Sequence, residues 1–279
     1  MPERSTGGMQ EHGVTVVRPT ADHPPTTTQS VGPRVWERVW TNRPSARKDD
    51  ALLLRESRST RFGLIVDRCT STFGAVRGLR TIELGCGRGD LSALLARRGA
   101  EVTLLDNSEA ALAEARWRFE RLRLPAHYVH CDILDSPRRL RRRFDVAMSY
   151  GVIEHFTGAA RTRVMAAHHN VLRPGGLAVI SVPHSWCLPY RFWKSYLEMR
   201  RWWPYGLEAP YTRRELTRRA TYAGLEQAEI HCLEFWRSVG GHWGKGILTN
   251  GPDWENRPSL LDRWMGSILL LLARRGPMR

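Results

Sequence analysis

The stretch Thr81-Ile82-Glu83-Leu84-Gly85-Cys86-Gly87-Arg88-Gly89-Asp90 decides how this chain is read. Four residues of strand character run into three glycines spaced G-x-G-x-G. Leu91, Leu94 and Leu95 then stand at the core spacing of a helix. A strand, a glycine turn and a helix in that order form a ligand-binding corner. Glycine lets the backbone turn tightly and approach a ligand closely, and the helix N-terminus stands behind it. The dinucleotide fingerprint is G-x-G-x-x-G. Here position 90 is an aspartate, whose charge would repel a pyrophosphate, so NAD is disfavoured.

Outward from this corner, strand and helix signals alternate. Val102 to Leu105 predicts a second strand ending at Asp106, and Ser108 caps a helix whose strongest formers are Ala110 to Leu122. His127 to Cys131 predicts a third strand ending at Asp132, and Phe144 to Ser149 a fourth. A helix over Ala159 to Leu172 stops at Pro174-Gly175-Gly176, and Leu177 to Val182 predicts strand five. Glu215 to Tyr222 reads as a helix, Gln227 to Phe235 as strand six, and Ile268 to Ala273 as a buried last strand. Before the corner, Asp49 to Phe73 has mixed helical character. Mostly apolar strands alternating with helices predict a doubly wound, mostly parallel sheet covered on both faces. Right-handed crossovers put the glycine loop, Asp106 and Asp132 together at the C-terminal edge, where such sheets bind ligands.

Asp106 lies 21 residues after Gly85. A carboxylate at the end of the second strand can accept two hydrogen bonds from a ribose diol. Asp132 is placed to accept from an exocyclic adenine amine. Together these residues describe a pocket for an adenosine without phosphates.

The pieces T-I-E-L-G-C-G-R-G-D at 81–90, L-L-D at 104–106, C-D-I at 131–133, G-V-I-E-H-F at 151–156 and L-R-P-G-G at 172–176 resemble the class I (Rossmann-like) S-adenosylmethionine-dependent methyltransferase superfamily. The resemblance covers roughly residues 78–183. It implies a seven-stranded sheet with an antiparallel last strand, and S-adenosylmethionine as cofactor. By that resemblance Glu83, Gly85, Cys86, Gly87 and Gly89 form the loop against the methionine part. Asp106 with Asn107 would hold the ribose, Asp132 and Ile133 would frame the adenine, and the turn at Tyr150 would approach the methionine end. The chain then divides into a disordered tail at 1–34, a helical segment at 35–77 and a methyltransferase domain at 78–279.

A sulfonium methyl group is already activated, so such an enzyme supplies alignment, exclusion of water and sometimes a base. His155 after strand four and His184 after strand five are the candidate bases, since imidazole accepts protons near neutral pH. The segment 185–211 follows strand five as an aromatic-rich insertion on the expected acceptor side. Its Trp186, Tyr190, Trp193 and Trp202 are expected to contact an apolar or aromatic small-molecule acceptor. A helical cap packed on its own domain is the plainer reading of the same segment.

The chain has 279 residues, 42% of them hydrophobic, which allows one large α/β domain with appendages. The net charge is +15, which taken alone points to an anionic partner such as nucleic acid or a membrane surface. Only Lys48, Lys194 and Lys245 are lysines, so the 43 basic residues less these three leave 40 arginines, a bias that belongs to a high-GC coding sequence. Methylation of RNA is therefore the alternative within enzymes, and cofactor binding without catalysis the alternative outside them. The five cysteines are scattered, with no C-x-x-C pair, so neither a disulfide framework nor a metal is expected and a cytoplasmic setting fits best.

Overall fold

The computed structural model describes residues 32–41, 43–136, 138–243 and 256–276. Of the expected tail, all but its last three residues lie outside these, and Pro33 and Arg34 already belong to the first helix. The strands are β1 (Arg80–Leu84), β2 (Glu101–Asp106), β3 (His127–His130), β4 (Phe144–Tyr150), β5 (Leu172–Pro183), β6 (Leu225–Leu233) and β7 (Ile268–Arg275). They form one seven-stranded sheet in the order β3-β2-β1-β4-β5-β7-β6. Neighbours from β3 across to β5 are parallel, and β7 enters antiparallel between β5 and β6. This is the expected doubly wound sheet with its antiparallel last strand.

The helices are α1 (Pro33–Val39), α2 (Ala46–Ser57), α3 (Thr60–Phe73), α4 (Asp90–Ala96), α5 (Glu109–Arg121), α6 (Ala160–Val171), α7 (Leu188–Met199), α8 (Arg213–Tyr222), α9 (Phe235–Trp243) and α10 (Asp262–Met265). Alternation along the strands explains the two faces. Ile82, Leu84, Ala178, Ile180, Leu269 and Leu271 belong to one core with α6 and α8, while Val102, Leu104, Val179, Leu270 and Leu272 belong to the other with α3, α4 and α5. The C-terminal leucine run is thus buried on both sides, as a strand inside a covered sheet must be.

Most boundaries shift by one or two residues from the sequence reading, among them strand six at Leu225–Leu233 instead of Gln227–Phe235, and two differ by more. The helical stretch before β1 breaks at Arg58–Ser59, because the Ser59 hydroxyl accepts from the Phe62 N–H at 3.1 Å and starts a second helix. Pro174, Gly175 and Gly176 do not end a helix outside the sheet. They lie within β5, at the register shift between its pairs with Phe144 and Val146.

Candidate active site

The glycine corner takes its shape from positive backbone angles that other residues rarely adopt. Gly85, Gly87 and Gly89 have φ of +70°, +50° and +66°. The N–H groups of Gly85 and Cys86 donate to the Leu105 carbonyl at 2.8 and 3.0 Å, which ties the corner to the end of β2. A Cβ on Gly85 would stand 2.8 Å from Val152, and one on Gly87 2.6 Å from the Trp40 ring. Gly89 faces inward instead: its Cβ would meet Leu104 and Phe119 at 3.2 Å.

This corner opens into a cavity of about 920 Å³, counted to its open mouth, at the C-terminal ends of β1, β2 and β4. Of the sequence-predicted residues, Glu83, Gly85, Cys86, Gly87, Asp106, Asn107, Asp132, Ile133, Tyr150 and His155 line it. Asp106 is buried, and its two oxygens accept from the N–H groups of Gly87 and Ser108 at 2.9 Å each. Burial raises its pKa while those N–H groups hold it down. Asp132 lines the same wall and uses one oxygen to cap the turn that follows, accepting from the Leu134 N–H at 2.8 Å. Glu83 takes a short hydrogen bond from Ser92, and burial pushes its carboxyl up to about 8, which favours the protonated form at pH 7. Asp90 stands at the start of α4, where a dinucleotide pyrophosphate would sit, and its charge is answered by Arg118.

At the end of β4 the chain turns through Tyr150 and Gly151 into the short turn Ile153–His155. The Nδ1 of His155 lies 2.7 Å from the Leu207 carbonyl. A carbonyl can only accept, so Nδ1 carries the proton and Nε2 is a free lone pair. Burial lowers the His155 pKa to about 4, so the ring is neutral at pH 7. The Trp36 ring meets it edge-on, with centroids 4.7 Å apart and planes at 79°. Donor atoms of Glu154, His155 and Glu208 come within 4.8 Å of one another. Burial raises the Glu154 carboxyl far above its usual range, with nearby Glu208 adding to it, and pushes Glu208 up to about 7.

His184 takes a different position. It is buried away from the cavity wall, with Nδ1 3.1 Å from the Gly266 carbonyl and 3.3 Å from the Cys232 sulfur. Trp186, Tyr190, Trp193 and Trp202 do not line the cavity either. Trp186 is 67% exposed, Tyr190 is buried, Trp193 stacks on Tyr196 with centroids 5.5 Å apart, and Trp202 lies under the Arg200 guanidinium at 4.4 Å. The segment reaches the site through its far end. Leu207 holds His155, the Ala209 N–H donates to the Glu154 carbonyl at 2.9 Å, and the Tyr211 hydroxyl donates to the Ile153 carbonyl at 3.3 Å.

The sequence reading missed Trp36, Trp40 and Arg61, which also line the cavity. The available signal was the pair Trp36 and Trp40, four residues apart, a helical spacing that ends at Trp40, the C-cap of α1. Arg61 gave no such signal, since its place beneath the Tyr150 ring at 5.4 Å follows only from the packing of α3 on the sheet.

The sheet order and the cavity are those expected from the resemblance to the class I S-adenosylmethionine-dependent methyltransferase superfamily, and the comparisons agree over part of the chain. Residues 82–176 match the family model of a methyltransferase domain. A ubiquinone biosynthesis O-methyltransferase of Ruegeria pomeroyi is 36% identical over 115 residues, 41% of this chain and 45% of that protein. One of Rhodopseudomonas palustris strain BisA53 is 32% identical over 177 residues, 58% of this chain and 64% of that protein. The chain spans roughly half the length of the curated relatives it matches. Among solved structures, the magnesium protoporphyrin IX methyltransferase of Synechocystis PCC 6803 with bound SAH is similar with a TM-score of 0.55 and 15% identity, over 87% of this chain and 94% of that one. The cyclase SpnF shares the fold as well, with a TM-score of 0.51 and 18% identity over 77% of this chain and 80% of that one. That likeness shows the fold alone, and function must be argued from the site.

Proposed function

We propose that this protein transfers a methyl group from S-adenosylmethionine to a hydroxyl of a small, apolar or aromatic molecule. One observation carries the reading: a single cavity is lined by Asp106 and the glycine corner at one part and by His155, whose Nδ1 is held by the Leu207 carbonyl, at another. The cofactor fits the donor set. Asp106 is pre-aligned by Gly87 and Ser108 and keeps lone pairs for a ribose diol. The acidic side chains at Asp90 and Asp106 suit an adenosine without phosphates, and Glu83 braces the loop through Ser92.

When bound, the cofactor supplies an activated methyl group. The chain's own part is orientation and proton handling. Ile133 and Asp132 frame the adenine end, Tyr150 and the Arg61 guanidinium stand at the amino-acid end, and α1 covers the cleft against water. His155, held by Leu207, offers Nε2 to a hydroxyl proton as the oxygen takes up the methyl group. The names of the O-methyltransferase relatives support oxygen as the acceptor atom.

Calorimetry with S-adenosylhomocysteine and NAD, followed by transfer of a labelled methyl group to a panel of phenols, tests this. Binding of S-adenosylhomocysteine and not NAD, with label in one phenol class, is the expected result. Tight NAD binding without response to either sulfur compound overturns it.

A further inference from the structure

α1 has seven residues, too few to hold a helix by itself, so its position over the cavity depends on what fastens it. Both oxygens of Glu37 accept from the first N–H groups of α5: from Glu109 at 2.7 Å and Ala110 at 3.2 Å. The next donor, the Ala111 N–H, goes to the Ser108 hydroxyl at 3.1 Å. Glu37 therefore takes two of the backbone donors that a helix start leaves without partners, and it does so from another element 72 residues away.

The tryptophans on either side of this latch reach opposite ends of the cavity. Trp40 lies on Gly87, with the Arg88 guanidinium 5.4 Å over its ring, at the cofactor corner. Trp36 stands edge-on to His155, at the end where the proton acceptor is. Both rings are half-buried and line the open space. No side chain of the segment 185–211 lines that wall.

We propose that Trp36 is the residue that contacts the methyl acceptor, and that Glu37 is the positioning residue that holds it over His155 by capping α5. The proposal rests on the methyltransferase reading above. Neutral His155 and the Trp36 ring form an apolar wall with one hydrogen-bond acceptor, which suits a flat phenol lying against the indole with its hydroxyl toward Nε2. Trp36 then reads the acceptor while Trp40 stays with the cofactor.

The experiment uses two probes on the full chain. S-adenosylhomocysteine reports the cofactor end by calorimetry. 4-Nitrocatechol, whose ionisation is visible in its absorbance, reports the acceptor end in protein loaded with the unreactive analogue sinefungin. Trp36→Ala is expected to weaken 4-nitrocatechol at least tenfold and leave S-adenosylhomocysteine within twofold. Glu37→Ala should reproduce the acceptor loss, and Glu37→Gln, which keeps one carbonyl oxygen for the α5 donors, should restore part of it. A purely structural Glu37 would lower the melting temperature without this split between probes, and that result overturns its positioning role. Should Trp36→Ala fail to fold, Trp36→Leu keeps apolar bulk without the ring and carries the same expectation. Unchanged 4-nitrocatechol affinity in the folded variant overturns the assignment of Trp36. Wild type that binds S-adenosylhomocysteine but not 4-nitrocatechol overturns the phenol wall alone. Wild type that binds neither probe strikes the methyltransferase reading itself.

Discussion

Both oxygens of Asp106 are already engaged by backbone N–H groups, one from the glycine corner and one from the start of α5. The carboxylate thus holds two pieces of backbone in place before any ribose arrives, and removing it has two effects. Asp106→Ala loses charge-assisted hydrogen bonds of about 1.5–3 kcal/mol each, so cofactor binding should weaken by about tenfold or more, and the melting temperature should fall because two buried N–H groups lose their acceptor. Asp106→Asn keeps one acceptor oxygen and should melt closer to wild type while still binding the cofactor more weakly. Calorimetry and thermal melts on the pair check this, and full affinity in folded Asp106→Asn would leave Asp106 with the loop alone. The glycines separate in the same way. Gly87→Ala pushes a methyl group into Trp40 and should disturb both α1 and cofactor binding. Gly89→Ala meets Leu104 and Phe119 in the core, so it should lower stability by about 1–3 kcal/mol, the range of an overpacked core, with cofactor affinity intact.

Arg118, fully buried on α5, is the joint between the helices before β1 and the glycine corner. Its Nε donates to both oxygens of Asp49 on α2 at 3.0 and 3.1 Å, and Nη1 donates to the Arg88 carbonyl at 3.1 Å and to Asp90. Arg118→Ala leaves Asp49 buried beside Arg121 only, and should cost about 3–5 kcal/mol in urea unfolding. Replacing both partners by leucine should cost less than the sum of the single changes, and strict additivity would show that the pair is not coupled. This joint also marks how far the sequence could be read. The central strands and β7 were legible because each is a mostly apolar run closed by a turn signal, the more polar edge strands β3 and β6 followed from their place in the strand–helix alternation, and the corner was legible because its glycines and Asp106 lie at short, regular intervals. Arg118 with Asp49, Glu37 with α5, and Trp36 with His155 join residues 69 or more positions apart, and only the folded sheet brings them together. His184 shows the converse limit: it follows the right strand but points to Gly266 and Cys232, because a strand end fixes a residue's place without fixing which way its ring turns.

At the scale of the whole molecule, several of the arginines work internally. Arg161 lies 3.5 Å over the Tyr211 ring and donates to the Ala209 carbonyl at 2.7 Å, and Arg275 donates to the His169 carbonyl at 3.0 Å. No helix among the described residues is long and apolar enough to cross a membrane. The buried titratable groups then set how stability varies with pH. Burial lowers His155 and His168 to about 4, so the folded state binds fewer protons than the unfolded chain between about 4 and 6.5, and these two contribute stability that is lost as pH falls through that window. Glu83 has the opposite sign. Its folded value of about 8 lies above the unfolded 4.5, so its contribution is present at low pH and is lost as pH rises from about 4.5 to 8. Glu208, raised to about 7 by burial, acts in the same direction over a narrower range. Near pH 6.5 the two histidines are still half protonated in the unfolded chain and offset the carboxyls, and above about pH 7 the carboxyls dominate. Unfolding free energy should therefore fall between pH 7 and 8, with Glu83 contributing up to about 1.4 kcal/mol per pH unit. Glu83→Gln keeps the side chain's size and a partner for Ser92 but cannot ionise, so its stability should gain steadily on wild type across the same interval. Urea unfolding of both proteins at pH 6.5, 7 and 8 measures the difference. Parallel curves would mean that Glu83 stays ionised in the folded protein, and its bond with Ser92 would then be that of a buried carboxylate.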